Sequence, residues 1–128
     1  MRALLDTNAF LWWAADDPKL STTAREIIRL GTNEIYVSAA SVLEIVIKHA
    51  RGRLELPVSP EQHIVSRMRR YRLISLPIQI DHALQVAVLP MLHRDPIDRI
   101  LVAQSQVERL SIVTPDQDIA RYDVEVIW

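Results

Sequence analysis

Apolar and polar positions change their period repeatedly along the chain. A short apolar run, Ala3-Leu4-Leu5, is closed by Asp6, and the chain then enters "AFLWWAADD", whose apolar residues recur at helical spacing. "STTAREIIRLG" reads as a whole helix. Ser21 or Thr23 caps its start, Glu26 stands three after Thr23, and Gly31 stands where a C-cap glycine belongs. "EIYVSA" is short and β-branched and reads as a strand. "SVLEIVIKHARG" predicts a helix ending near Gly52, and "SPEQHIVSRMRRYR" another with Pro60 at its start. "LISLPI" is a strand, and "DHALQVAVLP" a helix capped by Asp81 and stopped at Pro90. "DPIDRILVAQSQVERL" predicts a helix with Asp95 as N-cap and Pro96 in its first position, and "SIVTP" and "VEVIW" are the last strands.

Five strands alternating with helices predict an α/β fold: a five-stranded parallel sheet with helices on both faces. No repeat, linker or low-complexity tract divides the chain, so residues 1–128 form one domain. In such sheets ligands bind beyond the carboxyl ends of the strands, where the strand order reverses. The residues that follow each strand are therefore the ones to inspect.

Composition removes several classes. With 49% hydrophobic and 24% charged residues the chain is globular, not disordered. A net charge of -1 excludes a polybasic nucleic-acid binder, so any such contact is local. The absence of cysteine excludes disulfides, thiolate metal sites and a cysteine nucleophile. The only glycines, Gly31 and Gly52, are too few and too far apart for a dinucleotide-binding turn or a phosphate-binding loop. No apolar run reaches the roughly 18 residues of a membrane span, and the N-terminus lacks a signal-peptide pattern, so a cytoplasmic location is expected.

Carboxylates follow the strands. Asp6 closes the first, Glu44 lies in the helix after the second, and Asp116 and Asp118 follow the fourth. The helix before the fourth strand opens with Asp95 and Asp98. Each has a local use. Asp6 can cap the next helix, and Asp95 before Pro96 is a typical N-cap. Glu44 stands at capping-box spacing from Ser41 and at ion-pair spacing from Lys48. Asp98 suits a helix N-terminus, Asp116 a turn, and Asp118 the start of a short helix. Brought to one edge they would repel: two like charges at about 4 Å cost roughly 4 kcal/mol at an effective dielectric of about 20. Protonation of some of them, or a divalent cation, answers that repulsion, and all-oxygen ligands favour Mg²⁺ or Mn²⁺ over zinc.

"LLDTNAFLWW", "VSAASVLEIVIKHARGRL", "HRDPIDRILVAQSQ" and "IVTPDQDIARY" occur in the order and spacing of PIN-domain ribonucleases. The chain resembles in particular the VapC-type toxins of bacterial toxin–antitoxin pairs. That resemblance implies a PIN-like three-layer fold and Mg²⁺- or Mn²⁺-dependent hydrolysis of RNA phosphodiester bonds. Asp6, Glu44, Asp98 and Asp116 fall on the family's acids, with Asp6, Asp98 and Asp116 as metal ligands and Glu44 holding a water or a second ion. Asp118 is a competing carboxylate for the fourth position. Thr7, Asn8 and Arg99 are expected to meet the substrate, although Arg99 can instead pair with a neighbouring acid. The implied partners are RNA, a cognate antitoxin protein and a second copy of the chain. Many members of this group carry His where Asn8 stands.

Other residues offer further choices. Arg67, Arg69, Arg70 and Arg72, and separately Lys48, His49, Arg51 and Arg53, can hold phosphates or form solvated helix faces. His49, His63 and His82 read as surface or partly packed, and His93 lies beside the acidic turn. Trp12 and Trp13 are adjacent and cannot share one core from one helix, so either one packs inward while the other, with Leu11, is available to an interface, or both are partly buried in a small domain. Two rival classes remain. An aspartyl-phosphate phosphatase also begins with Asp-Thr after a first strand but wants a second acid where Asn8 stands. A non-catalytic binding domain would retain the fold alone.

Overall fold

The computed structural model describes residues 1–128. Its strands are β1 (Arg2–Leu5), β2 (Glu34–Ser38), β3 (Ile74–Leu76), β4 (Ser111–Val113) and β5 (Val126–Ile127). All pairings are parallel, in the order β3-β2-β1-β4-β5. The chain moves outward from β1 through β2 to β3, then returns to the other side of β1 for β4 and β5. The strand order therefore reverses between β1 and β4, which puts the ligand crevice of an open α/β sheet at their carboxyl ends.

Six helices cover the sheet: α1 (Thr7–Ala14), α2 (Thr22–Arg29), α3 (Ala39–Ala50), α4 (Pro60–Arg70), α5 (Ile80–Val86) and α6 (Pro96–Glu108). A 3₁₀ turn, Ile119–Arg121, precedes β5. None of the helices is long and apolar enough to cross a membrane. Both faces of β1 are buried, which is why "ALL" is apolar throughout instead of alternating. Ala3 and Leu5 join Ile35, Val37 and Val113 under Phe10 and Trp13 of α1, Ala24 and Ile28 of α2, Ile45 of α3 and Ile64 of α4. Leu4 packs on the opposite face with Leu101 of α6, and Ile112 meets Val102 and Ala103 there. The three-layer α/β expectation is met.

Helix starts follow side-chain oxygens. Ser21 Oγ, rather than Thr23, caps α2 by accepting from Ala24 N (3.0 Å). Ser38 caps α3, accepting from Ala40 N at 3.0 Å, so Ser41 lies inside the helix and forms no capping box with Glu44. Asp95 caps α6 and accepts from both Ile97 N and Asp98 N (2.9 and 3.0 Å). α5 is capped by Gln79 rather than Asp81, with the Gln79 N–H donating to His82 Nδ1 at 3.0 Å, and it ends at Val86, short of Pro90.

Helix ends depart further from expectation. α3 closes as predicted, with Gly52 in the left-handed region (φ 69) and paired bonds from Gly52 N to His49 O (3.1 Å) and from Arg53 N to Lys48 O (2.9 Å). Gly31 has no such role; α2 is capped by Leu30 at φ -70. The same closure is instead made by Asp16 after α1 (φ 51) and by Arg72 after α4 (φ 54), and Arg109 takes φ 56 after α6.

His63 and His82 are buried, not surface residues. His82 belongs to a polar network in which Nε2 meets Glu108 Oε1 (2.9 Å), while nearby Ser38 Oγ donates to Gln104 Oε1 (2.6 Å). Trp13 packs inward against Tyr71 with ring centroids 5.1 Å apart. Trp12 lies against Trp128 with ring centroids 5.8 Å apart and is partly buried.

Candidate active site

One step beyond the register pairs Leu5↔Val37 and Leu5↔Val113 stand Asp6, Ser38 and Thr114. All three are buried, so a polar row crosses the carboxyl edge of three neighbouring strands. Asp6 sits at its centre, only 5% exposed. Its Oδ1 accepts from Ala9 N at 2.7 Å, which caps α1, and its Oδ2 accepts from the Thr114 hydroxyl. The helix-cap and acidic-site readings of Asp6 are thus compatible: one oxygen serves each.

Thr114 Oγ1 also accepts from Asp116 N at 3.0 Å, and Asp116 Oδ1 accepts from Asp118 N at 2.8 Å. Thr114 therefore seats the loop that follows β4 directly on Asp6. Asp118 is exposed and lies 3.5 Å from Arg121. Asp98, at the third position of α6, is partly buried, and its Oδ2 lies 3.1 Å from His93 Nε2. Glu44 is partly buried on α3 and pairs with Lys48 at 3.3 Å, the four-residue ion pair expected of it.

Two of these carboxyls are displaced from their ordinary range. Burial pushes the Asp6 carboxyl up to about 6, and the charges of Asp116 and Glu44 push the same way, against the hydrogen bonds from Thr114 and Ala9. Burial likewise pushes Asp98 up to about 6, aided by Asp95 and Asp116 and opposed by the His93 hydrogen bond. Asp116 is the carboxylate that acts on both. No lysine or arginine is paired with Asp6, Asp98 or Asp116. No three His, Asp or Glu side chains are gathered at metal-holding spacing.

The donor chemistry fits a hard divalent cation nonetheless. Each of the four acids offers oxygen, Asp6 and Asp116 have no basic counterpart, and Mg²⁺ is commonly held by one or two carboxylates with water completing its shell. Two buried hydroxyls at the same edge, Thr7 Oγ1 and Ser41 Oγ, have no hydrogen-bond partner within the protein. A polar occupant would satisfy such groups, whose burial unpaired costs about 1–3 kcal/mol each.

The other expected contacts divide. Asn8 is exposed at the first turn of α1, beside Asp6. Arg99 is not brought to the site. It is buried, and its guanidinium donates to Pro90 O (2.8 Å), Tyr122 Oη (2.9 Å) and Val86 O (3.3 Å). The first turn of α6 carries Asp98 toward the edge and turns the next side chain inward. Sequence reasoning overlooked Thr114 and Tyr122. A polar residue ending a strand immediately after "SIV" was the available signal for Thr114; nothing local marked Tyr122.

An acid-lined carboxyl edge at the reversal point of a β3-β2-β1-β4-β5 sheet defines a class of α/β domain, and comparison identifies the family. The PIN domain model matches residues 3–125, and the chain belongs to that family. Comparison with curated proteins gave no match. Among solved structures, the chain is similar to one described as VapBC2 from Rickettsia felis bound to a DNA fragment from its promoter, at 16% identity and a TM-score of 0.74 over 99% of this chain and 98% of that one. It is also similar to VapBC-1 from nontypeable Haemophilus influenzae (18%, 0.66, covering 99% and 97%). VapBC-5 from Mycobacterium tuberculosis, of the VapBC toxin–antitoxin family, is a third (18%, 0.63, covering 98% and 97%). Those likenesses establish the shared fold.

Proposed function

We propose that the carboxyl edge is the active site of an Mg²⁺- or Mn²⁺-dependent endoribonuclease, a toxin of the VapC type. The observation that carries this reading is that Asp6 and Asp98, delivered by different elements, are both pushed up to about 6 by burial and by Asp116, with no lysine or arginine paired to either and only His93 beside Asp98. Membership of the PIN family supports nuclease chemistry in general. Asp6, Asp98 and Asp116 would hold the cation, and Glu44 would hold a water or a second ion. Asp116 is preferred to Asp118 as the fourth acid because its charge reaches both Asp6 and Asp98, whereas Asp118 is exposed and lies near Arg121.

When bound, the cation would supply charge neutralisation at a phosphate oxygen and a water of lowered pKa. The chain's own residues would prepare that chemistry. Thr114 would fix the Asp6 carboxylate, burial would keep competing water from it, and Thr7 Oγ1 and the Asn8 amide would meet the scissile phosphate. Arg99 has no part in substrate contact under this reading.

A cognate antitoxin and a second copy of the chain are the proposed partners. Two observations support them. The similar structures are described as VapBC or toxin–antitoxin complexes. The chain also exposes apolar side chains at Leu43, Val46 and Ile47 of α3, and at Ile80, Leu84 and Val88 spaced four apart along α5 and its extension, with Ile80 79% exposed. A cytoplasmic location accords with this role.

The test is cleavage of an RNA pool by pure protein, with Mg²⁺ or Mn²⁺ and with EDTA, beside Asp6→Asn. Cleavage that requires the cation and disappears in the folded variant is the expected result. Cleavage indifferent to both would remove the reading.

A further inference from the structure

His93, Asp98, Arg99 and Tyr122 form a connected polar chain behind the acidic edge. Arg99 is its fixed end. Its Nη1 donates to Pro90 O at 2.8 Å and to Tyr122 Oη at 2.9 Å, and its Nη2 donates to Val86 O at 3.3 Å. Tyr122 is 4% exposed, packed among Leu89, Val102, Ala103, Ile112 and Ile119. Its hydroxyl lies 2.8 Å from His93 Nδ1, and His93 Nε2 lies 3.1 Å from Asp98 Oδ2.

The direction of the chain follows from donor inventory. A guanidinium only donates. Arg99 therefore occupies a lone pair of the Tyr122 hydroxyl, and the single phenolic proton is left to point at His93. Nδ1 of His93 then accepts, the ring proton resides on Nε2, and that proton is donated to Asp98 Oδ2. Asp98 Oδ1 is left as the free oxygen. The chain also spans two segments of the site, since Tyr122 follows the Asp116 loop and Asp98 opens α6. Arg121 Nη1 strengthens this tie by donating to Leu92 O at 3.0 Å, beside His93.

We propose that Arg99, Tyr122 and His93 orient the Asp98 carboxylate through this directed hydrogen-bond chain, which makes His93 and Tyr122 positioning residues of the acidic site. The proposal rests on Asp98 being a cation ligand. Outer partners of ligating side chains commonly tune affinity 10–100-fold.

Two measurements test it. The first is the histidine ring-nitrogen correlation spectrum of the metal-free protein at about pH 8, above the ordinary imidazole pKa. The Nε2–H tautomer of His93 is expected in the wild type, with that preference lost in Tyr122→Phe, which keeps the aromatic packing. The second is Mn²⁺ affinity by calorimetry. Tyr122→Phe and His93→Ala should weaken it by about tenfold or more, while His93→Gln, whose amide nitrogen reaches the position of Nε2, should stay within about threefold of wild type. If His93→Ala fails to fold, Tyr122→Phe carries the test. A wild-type Nδ1–H tautomer, or Tyr122→Phe with unchanged tautomer and unchanged Mn²⁺ affinity, overturns the proposal. Wild-type protein that takes up no Mn²⁺ would overturn the cation-site reading and the positioning role with it, while the tautomer would still decide whether the chain exists.

Discussion

The Thr114 hydroxyl donates to Asp6 Oδ2, joining residues 108 positions apart that end the adjacent strands β4 and β1. Thr114 Oγ1 in turn accepts from Asp116 N, so one side chain sets both the Asp6 carboxylate and the loop that carries Asp116. Thr114→Val, of nearly equal shape, removes both bonds. It should cost about 1–3 kcal/mol of stability and raise the Asp6 pKa further. Activity and cation affinity should fall, and Thr114→Ser should restore most of each. Denaturant melts with Mn²⁺ titration check this; full retention in Thr114→Val would refute the assigned role.

Asp6 is a stability liability in the cation-free protein. Its charge is buried, and a displacement from 3.8 to about 6 corresponds to a penalty on the order of 3 kcal/mol at neutral pH. Asp6→Asn retains an acceptor for Ala9 N and removes the charge. In EDTA at pH 7 the variant should melt several degrees higher than wild type, by about 1–3 kcal/mol, while losing the proposed activity. A lower melting temperature would contradict the burial argument.

The pH dependence has a defined sign. A carboxyl whose folded pKa lies above its unfolded value binds its proton more tightly in the native state. The stability it provides is full below about 4 and is lost as pH rises through about 6. The stability gap between Asp6→Asn and wild type, measured in EDTA, should therefore be small near pH 4 and widen up to about pH 7. Added Mn²⁺ should close it from the wild-type side. A gap independent of pH would show that Asp6 is not displaced.

Left-handed helix ends give an independent check on the backbone. Arg72 is exposed at φ 54, and Gly52 stands at φ 69 with open space around its Cα. Arg72→Gly should stabilise by roughly 0.5–1 kcal/mol, and Gly52→Ala should destabilise by about 1 kcal/mol. Chemical denaturation reads both, and a matching sign for the two would be inconsistent with these conformations.

What the sequence displayed, and what it hid, divides by range. The strand–helix alternation and the Asp95-Pro96 start of α6 were visible because period and capping are local properties. Gly31 misled because a glycine beside a helix end need not take positive φ, and the chain lets Asp16 and Arg72 bear that conformation instead. α5 was misplaced because its start is decided by His82, which the fold buries against Glu108 and Gln104. The acids Asp6, Glu44, Asp98 and Asp116 are individually ambiguous in the sequence; Asp6, Glu44 and Asp116 do make the cap, ion pair and turn contact that their local readings describe, whereas Asp98 meets His93. Arg99 reads from the sequence as a substrate contact or the partner of a neighbouring acid, because Asp95 and Asp98 are its near neighbours. The partner that holds it, Tyr122, lies 23 residues away and is found only by folding.

Strand order also bears on synthesis. β1 and Asp6 leave the ribosome before the rest of the sheet, but β4 fills its place beside β1 only after residue 113, and Thr114 and Asp116 come later still. N-terminal segments pair early, while the contact that completes the edge is among the most distant in the chain. Whatever chemistry this edge performs, a chain interrupted before Asp116 lacks the loop that completes it.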